Sequence, residues 1–323
     1  MSTTTAPTIG LVIPALAQAL PRVEEEIRRM AASSSLPIVN EFSSRITAAG
    51  GKRLRSVLIL SGTLALSGDI TDKAVTSAAC VELLHAGSLV HDDLMDNASE
   101  RRGVRTVNDE WGVGPAVLIG DFMLARASRT ALSHISPFAA EQLANAVKDL
   151  VEGQVLEVLD LHNPDRTPEN ALRSIALKTG SLFRVGCVLA AHCADADEAA
   201  TTRLAEYGES FGLLFQILDD LLDLASTQLR LGKPVGNDLR QGVYTFPLLR
   251  VLDPELRKML TGDPDDVLAK LRGGPLVEET LGYCRNLARQ TVEALPVLPG
   301  SETADILHEL PMAYLNWASA LIA

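Results

Sequence analysis

The stretch DKAVTSAACVELLHAGSLVHDDLMD, residues 72–96, carries apolar residues at three- and four-residue spacing and ends in three aspartates. That spacing predicts a long helix, on which positions i, i+3, i+4 and i+7 share a face. His85, Ser88, Asp92 and Asp96 then line one stripe. A second run, TTRLAEYGESFGLLFQILDDLLDLA (201–225), has the same character, and its QILDDLLD at 216–223 echoes LVHDDLMD at 89–96. Gln216, Asp219, Asp220 and Asp223 form the matching stripe. The sequences flanking the two copies do not match, so the echo is functional and not an architectural repeat.

Outward from these runs, most of the chain reads as helix, and convincing period-two alternation is scarce. Breakers divide the helices: AAGGKRLR (48–55), ERRGVR (100–105), HNPDRTPEN (162–170), RLGKPVGNDLRQG (230–242) and RGGPL (272–276). No low-complexity linker separates two halves. The expectation is one all-α domain over residues 1–323, with residues 1–34 as an N-terminal helical extension.

Composition narrows the function classes. The chain has 323 residues, 47% of them hydrophobic and 22% charged, so it can bury a sizeable core. Its 29 Lys+Arg against 41 Asp+Glu give a net charge of -12, which argues against general nucleic-acid binding. Cys80, Cys187, Cys193 and Cys284 form no CxxC pair, which reads as a reduced intracellular chain without structural zinc. The N-terminus MSTTTAPTIGLVIPALAQALPR has no basic region ahead of its apolar part, so no signal peptide is read there. Apolar runs such as VLILSGTLALSG (57–68) fall short of the roughly 20 residues that span a bilayer. A cytoplasmic protein without stable membrane insertion is expected.

Three carboxylates within five residues repel one another unless cations or solvent screen them. A single DDxxD is more often a solvated acidic helix end. Here both clusters follow strongly apolar helical runs and repeat the same one-turn spacing, and two facing carboxylate banks suit Mg²⁺, which fills its remaining positions with water and phosphate oxygens. Basic residues supply the complement. GGKRLR (50–55) places Lys52, Arg53 and Arg55 in a glycine-opened turn, Arg101 and Arg102 follow the first aspartates, and Lys178 and Lys233 stand in LKTGSLF and LGKPVG. Any one of these alone would be an ordinary surface charge; their association with the acidic banks raises them. The ELLH at 82–85 has the Glu-x-x-His spacing of di-iron bundles, but its only near partner, DILH at 305–308, lacks the glutamate, so chance explains it.

GGKRLR, LVHDDLMDNASERRG (89–103), KTGSLF (178–183), FGLLFQILDDLLD (211–223) and GKPVGNDLRQGVYTFP (232–247) closely resemble the trans-isoprenyl diphosphate synthases, or polyprenyl synthetases. The resemblance runs from about residue 35 to about 250, and medium- to long-chain bacterial members fit it best. It implies antiparallel helices around a deep central cavity, a homodimer, and condensation of an allylic diphosphate with isopentenyl diphosphate, releasing pyrophosphate. It also implies Mg²⁺, three ions with substrate bound, held by Asp92, Asp96 and Asp219 with Asp93, Asp220 and Asp223 nearby. Arg101, Lys178, Thr179, Gln216 and Lys233 resemble the allylic-diphosphate contacts, and Lys52, Arg55, His85 and Arg102 the isopentenyl-diphosphate site. Three positions depart from the pattern: Ser56 and Arg105 where proline is usual, and Val243 where many members carry lysine.

Members with short products carry bulky aromatics four or five residues before the first aspartate; here those positions are Ser88 and Gly87, followed by Leu84, Val81 and Cys80. A helical turn rises about 5.4 Å, roughly one isoprene unit, so the expected product has twenty carbons or more. The alternative is that the two small residues only let helices pack closely. Competing readings of the whole chain are a non-catalytic regulatory subunit, a diphosphate-lipid binding protein of the same fold and, more weakly, a terpene cyclase, which would need no second diphosphate site.

Overall fold

Small side chains decide which helices touch. The computed structural model describes residues 13–231, 235–298 and 302–322; Lys233 and the first twelve residues of the expected N-terminal extension lie outside the described residues. In chain order the helices are α1 (Pro14–Ala31), α2 (Pro37–Ala48), α3 (Leu54–Ser67), α4 (Asp72–Met95), α5 (Val107–Trp111), α6 (Val113–His134), α7 (Pro137–Leu159) and α8 (Pro168–Ile175). A π-helical turn, Ala176–Gly180, leads into α9 (Ser181–Cys193) and α10 (Glu198–Ala225). Short helices follow, α11 (Gln228–Leu231), α12 (Asn237–Arg240), α13 (Phe246–Arg250), α14 (Pro254–Met259) and α15 (Pro264–Arg272), before α16 (Leu276–Glu293) and α17 (Glu302–Ile322) close the chain.

Helix α4 starts where Thr71 caps it, its hydroxyl accepting the Ala74 N–H at 3.2 Å, with Asp72 in the first turn favoured by the helix dipole. Asp197 caps α10 in the same way, accepting from Ala200 N–H at 2.7 Å. Both helices are buried on several sides. Helix α4 packs on α1, α3, α6 and α9, and α10 packs on α9, α16 and α17. Leu16, Ala19, Val23, Ile27 and Met30 recur every three or four residues along α1 and are all buried, so α1 forms part of the same hydrophobic core as α4.

Two expectations meet corrections here. The ERRGVR breaker folds as a hairpin, β1 (Glu100–Arg101) against β2 (Val104–Arg105), with Arg101 opposite Val104. Arg102 and Gly103 at its tip both have positive φ, 53° and 77°, as a tight two-residue turn requires. The segment Pro168–Cys193 is long and apolar enough to cross a bilayer by length and composition, contrary to the reading of short apolar runs; 72% of its most apolar window is buried within the protein.

The π-helical turn sits where two glycines let it in. A Cβ on Gly153 of α7 would stand 2.5 Å from the Lys178 backbone nitrogen, and one on Gly212 of α10 would stand 2.7 Å from the Gly180 Cα. Neither neighbour is a flexible side-chain end. Gly153→Ala should therefore displace the turn that carries Lys178 and Thr179, lowering stability by about 1–3 kcal/mol in urea melts and reducing turnover together.

Candidate active site

Helices α4 and α10 both end in aspartates, and those ends face one cavity of about 1090 Å³. His85, Ser88, Asp92 and Asp96 line it from α4; Gln216, Asp219 and Asp223 line it from α10. Lys178, Thr179 and Leu182 complete another wall. Neither helix has a basic residue in its last turn. Carboxylates at a helix C-terminus add to the partial negative charge of its free carbonyls, the reverse of the favourable arrangement. Burial, the largest cause, together with Asp96 pushes the Asp92 carboxyl above the ordinary carboxylate value despite Lys178 and Arg101; burial likewise raises Asp96. The arrangement calls for external cations, and an all-oxygen donor set fits a hard one. Among the described residues no three ligating side chains already converge on a point, so water and substrate oxygens would have to complete any coordination sphere.

Asp93 and Asp220 stand apart from that bank. Asp93 accepts from Arg101 Nε at 2.5 Å and faces the neighbouring basic pocket. Asp220 is 5% exposed and closes a hydrogen-bonded chain in which Thr179 Oγ1 donates to Gln216 Oε1 at 2.9 Å and Gln216 Nε2 donates to Asp220 Oδ1 at 2.8 Å. Burial, then Asp238, drives its carboxyl well above the usual range. Lys178 Nζ donates to Glu157 Oε1 at 2.6 Å. Burial opposes that ammonium, but Glu157, with Asp92 and Asp96, outweighs it and holds its pKa above the ordinary lysine value.

The second pocket, about 390 Å³, gathers cations. Lys52, Arg55, His85, Arg101 and Arg102 line it, with Glu82 and Asp93 as its acids and Asp219 and Phe215 on the side shared with the main cavity. Gly51 approaches the Arg102 guanidinium closely: a Cβ there would lie 2.8 Å from Arg102 Nη1, the end of a side chain that can shift. Arg53, with φ of 49°, also lines the pocket and anchors the turn: it pairs with Glu24 at 2.6 Å and with Glu82 at 3.3 Å. Glu82 Oε1 also accepts from the Ser56 N–H at 3.2 Å and the Ser56 hydroxyl at 3.1 Å. A proline at 56 would have no N–H to give. Burial and then Arg102 outweigh Glu82 to push Arg55 down to about 10, and burial with Arg55, Arg102, Arg101 and Arg53 holds His85 well below the ordinary histidine value. Buried cations gathered in this way suit an anionic ligand.

Residues 36–269 match the polyprenyl synthetase family. The chain is 32% identical over 296 residues to an octaprenyl diphosphate synthase of Haemophilus influenzae, covering 88% of this chain and 89% of that protein. It is also 32% identical to a heptaprenyl diphosphate synthase component 2 of Geobacillus stearothermophilus, covering 92% and 95%. A polyprenyl synthase of Caulobacter crescentus, solved with calcium and isoprenyl diphosphate, superposes with a TM-score of 0.87 at 28% identity and 99% coverage of both chains. The chain belongs to the polyprenyl synthetase family. It is a prenyl-transferring enzyme with the all-α fold of that family.

Within that family frame, the sequence-predicted residues fall into two groups around one cavity wall. Asp92, Asp96, Asp219, Asp223, Gln216, Lys178 and Thr179 meet in the main cavity; Lys52 lines the basic pocket; and Arg55, His85, Arg101 and Arg102 line both. Gly87 is a correction: it turns towards α6, where an added Cβ would lie 3.0 Å from Met123 Cβ and 3.2 Å from the Gly120 carbonyl oxygen, so its smallness serves helix packing and not the cavity. Leu84, Val81 and Cys80 are wholly buried, and Ser88 alone of the five positions expected to set product length lines the cavity. Val243 lines a side pocket of about 330 Å³ with Lys178, Glu157 and Asp220, so no ammonium enters from that position. Arg105 pairs with Asp109 at 2.7 Å within the hairpin–helix junction. Sequence reading missed Glu82, Glu157 and Glu24. Glu82 was visible only as part of a di-iron look-alike, and its partners lie 26 and 29 residues away.

The depressed His85 pKa has a sign that thermal melts can check. Its folded value lies below the unfolded value of about 6.5, so the unfolded chain takes up the proton more readily and stability falls as pH drops below that value. In chelator and without ligand, the melting temperature should fall between about pH 7 and about pH 5 more steeply for the wild type than for His85→Gln.

Proposed function

We propose that the protein condenses an allylic diphosphate with isopentenyl diphosphate, head to tail, and releases an all-trans polyprenyl diphosphate of twenty carbons or more with pyrophosphate. The observation that carries this reading is the pairing of an acidic bank and a cationic pocket across one wall, with Phe215, Arg101 and Asp219 common to both. Two anionic substrates thus have two differently built seats.

Asp92, Asp96 and Asp219 would hold Mg²⁺, three ions with the allylic diphosphate bound, and Asp223 lies within the same cavity. Bound there, the metal would neutralise charge developing on the leaving pyrophosphate. Lys178, kept protonated by Glu157, and Arg101, held by Asp93, direct cations at the same leaving group. Lys233 joins them in this reading on sequence grounds. Lys52, Arg55, Arg102 and a neutral His85 grip the isopentenyl diphosphate. As the allylic C–O bond breaks, the double bond of the isopentenyl unit forms the new C–C bond, and a proton leaves its C2 for the departing pyrophosphate. Leu182, Leu89 and Phe215 keep the reacting carbons in an apolar lining.

The length of the product follows from Ser88, a small side chain at the cavity wall one turn below Asp92. Ser88→Phe should shorten the product, read by chromatography of dephosphorylated products from labelled isopentenyl diphosphate; an unchanged length would place the floor elsewhere. In the same assay Asp92→Asn and Asp219→Asn should each lose turnover by about a hundred-fold or more.

We place the enzyme in the cytoplasm, in keeping with four cysteines that are all buried and free. A homodimer is supported by an apolar stripe left exposed on α7, Val151, Val155, Val158 and Leu159, beside Val117 and Leu118 of α6. The component 2 name of the Geobacillus relative favours a second reading, in which this chain acts with a different subunit. Purified chain that forms product alone and sediments as a dimer supports the first; a chain inactive until a second subunit is added supports the other.

A further inference from the structure

Helix α17 packs against α3 and α10 and brings two aromatic faces to the start of the basic pocket. The Lys52 ammonium lies 3.8 Å from the centroid of the Trp317 ring and 5.4 Å from that of Tyr314. Those rings begin a continuous series. Trp317 and Tyr314 are 5.2 Å apart, Tyr314 and Phe215 5.3 Å, and Phe215 and Phe183 5.5 Å. At its far end the Arg55 guanidinium sits 4.4 Å over Phe183. Two cations of the same pocket are thus seated on the two ends of one aromatic wall, and Phe215 in the middle lines the cavity itself.

The polar edges of the two α17 aromatics do nothing comparable. Neither Tyr314 Oη nor Trp317 Nε1 has a hydrogen-bond partner among the described residues, although both atoms are buried. A tryptophan kept only for the core would satisfy its indole N–H. What Trp317 offers to the site is its face, and a ring face attracts an ammonium without neutralising it. At 3.8 Å from the ring centroid, the Lys52 ammonium is within the range in which that attraction fixes its position.

We propose that Trp317 is a positioning residue for Lys52: its ring holds the lysine at the pocket mouth in the unliganded enzyme and gives it up to the isopentenyl diphosphate. This rests on the placement of isopentenyl diphosphate in the Lys52 pocket. The exchange makes Trp317 a reporter of that substrate, because the ammonium leaves its ring as the diphosphate arrives.

The chain has two tryptophans, so Trp111→Phe leaves Trp317 as the single indole. In that variant, isopentenyl diphosphate added alone should change the emission saturably. With Lys52→Met in addition, the unliganded emission should already be shifted and the response should vanish. Kinetically, Trp317→Leu should raise the KM for isopentenyl diphosphate about three- to ten-fold, with the KM for the allylic substrate and kcat changed less than about two-fold. Trp317→Phe should recover most of the loss, since it keeps a ring face. An unchanged isopentenyl diphosphate KM in Trp317→Leu, or an emission blind to that substrate, while Lys52→Met raises the KM, would overturn the role of Trp317 and leave the pocket assignment standing. A Lys52→Met enzyme with unchanged isopentenyl diphosphate KM would instead remove the pocket assignment, and this inference with it.

Discussion

Carboxylates at the C-terminal ends of two buried helices are the constraint on which this molecule is organised. Each bank adds negative charge to a helix end that is already negative, in a setting where burial lifts Asp92 and Asp96 above their ordinary pKa. Left to themselves such groups would move to the surface. They stay because α4 and α10 are locked into the core along most of their length, capped at their starts by Thr71 and Asp197 and packed on neighbours on several sides. The scaffold fixes the repulsion, and the repulsion defines what the cavity will bind.

The cationic half is assembled by the opposite device. Arg55, His85 and Arg102 are brought together from α3, α4 and a hairpin tip, and burial weakens the charged form of each. Their cohesion depends on Glu82, which ties Arg53 and the start of α3 to α4 from beneath. A buried carboxylate with three donors on it is well satisfied, so it steadies the turn without occupying the pocket. Arg53 is engaged in this anchoring by Glu24 and Glu82, and Lys52 and Arg55 on either side of it line the basic pocket. The aromatic wall from Phe183 to Trp317 supports those two from the other side, Lys52 over Trp317 and Arg55 over Phe183.

Glycines set the fit between the halves. Gly153 and Gly212 admit the π-helical turn so that Lys178 reaches the first aspartate bank and Thr179 reaches Gln216 of the second. Turns of this kind are frequent at functional sites, where they re-aim one or two side chains without breaking a helix. Gly87 shows how the same residue type misleads. Read along α4 it looks like an open floor, yet it packs against α6, and the open position is its neighbour Ser88.

The sequence by itself determined the all-α class, the two aspartate banks and nearly all the cations, because helical periodicity and charge clustering are local and survive in a linear reading. It also determined, through motif resemblance, the reaction class. Only the tertiary structure decided which side of α4 each small residue faces, that Asp93 and Asp220 turn from the main bank, and that Glu82, Glu157 and Trp317 serve the site. Glu157 meets Lys178 across 21 residues, and Trp317 meets Lys52 from the opposite end of the chain. A single such residue on a helix looks like any surface charge or core ring. Its partner is chosen by which helices pack together, and that choice belongs to the whole core and not to any local stretch.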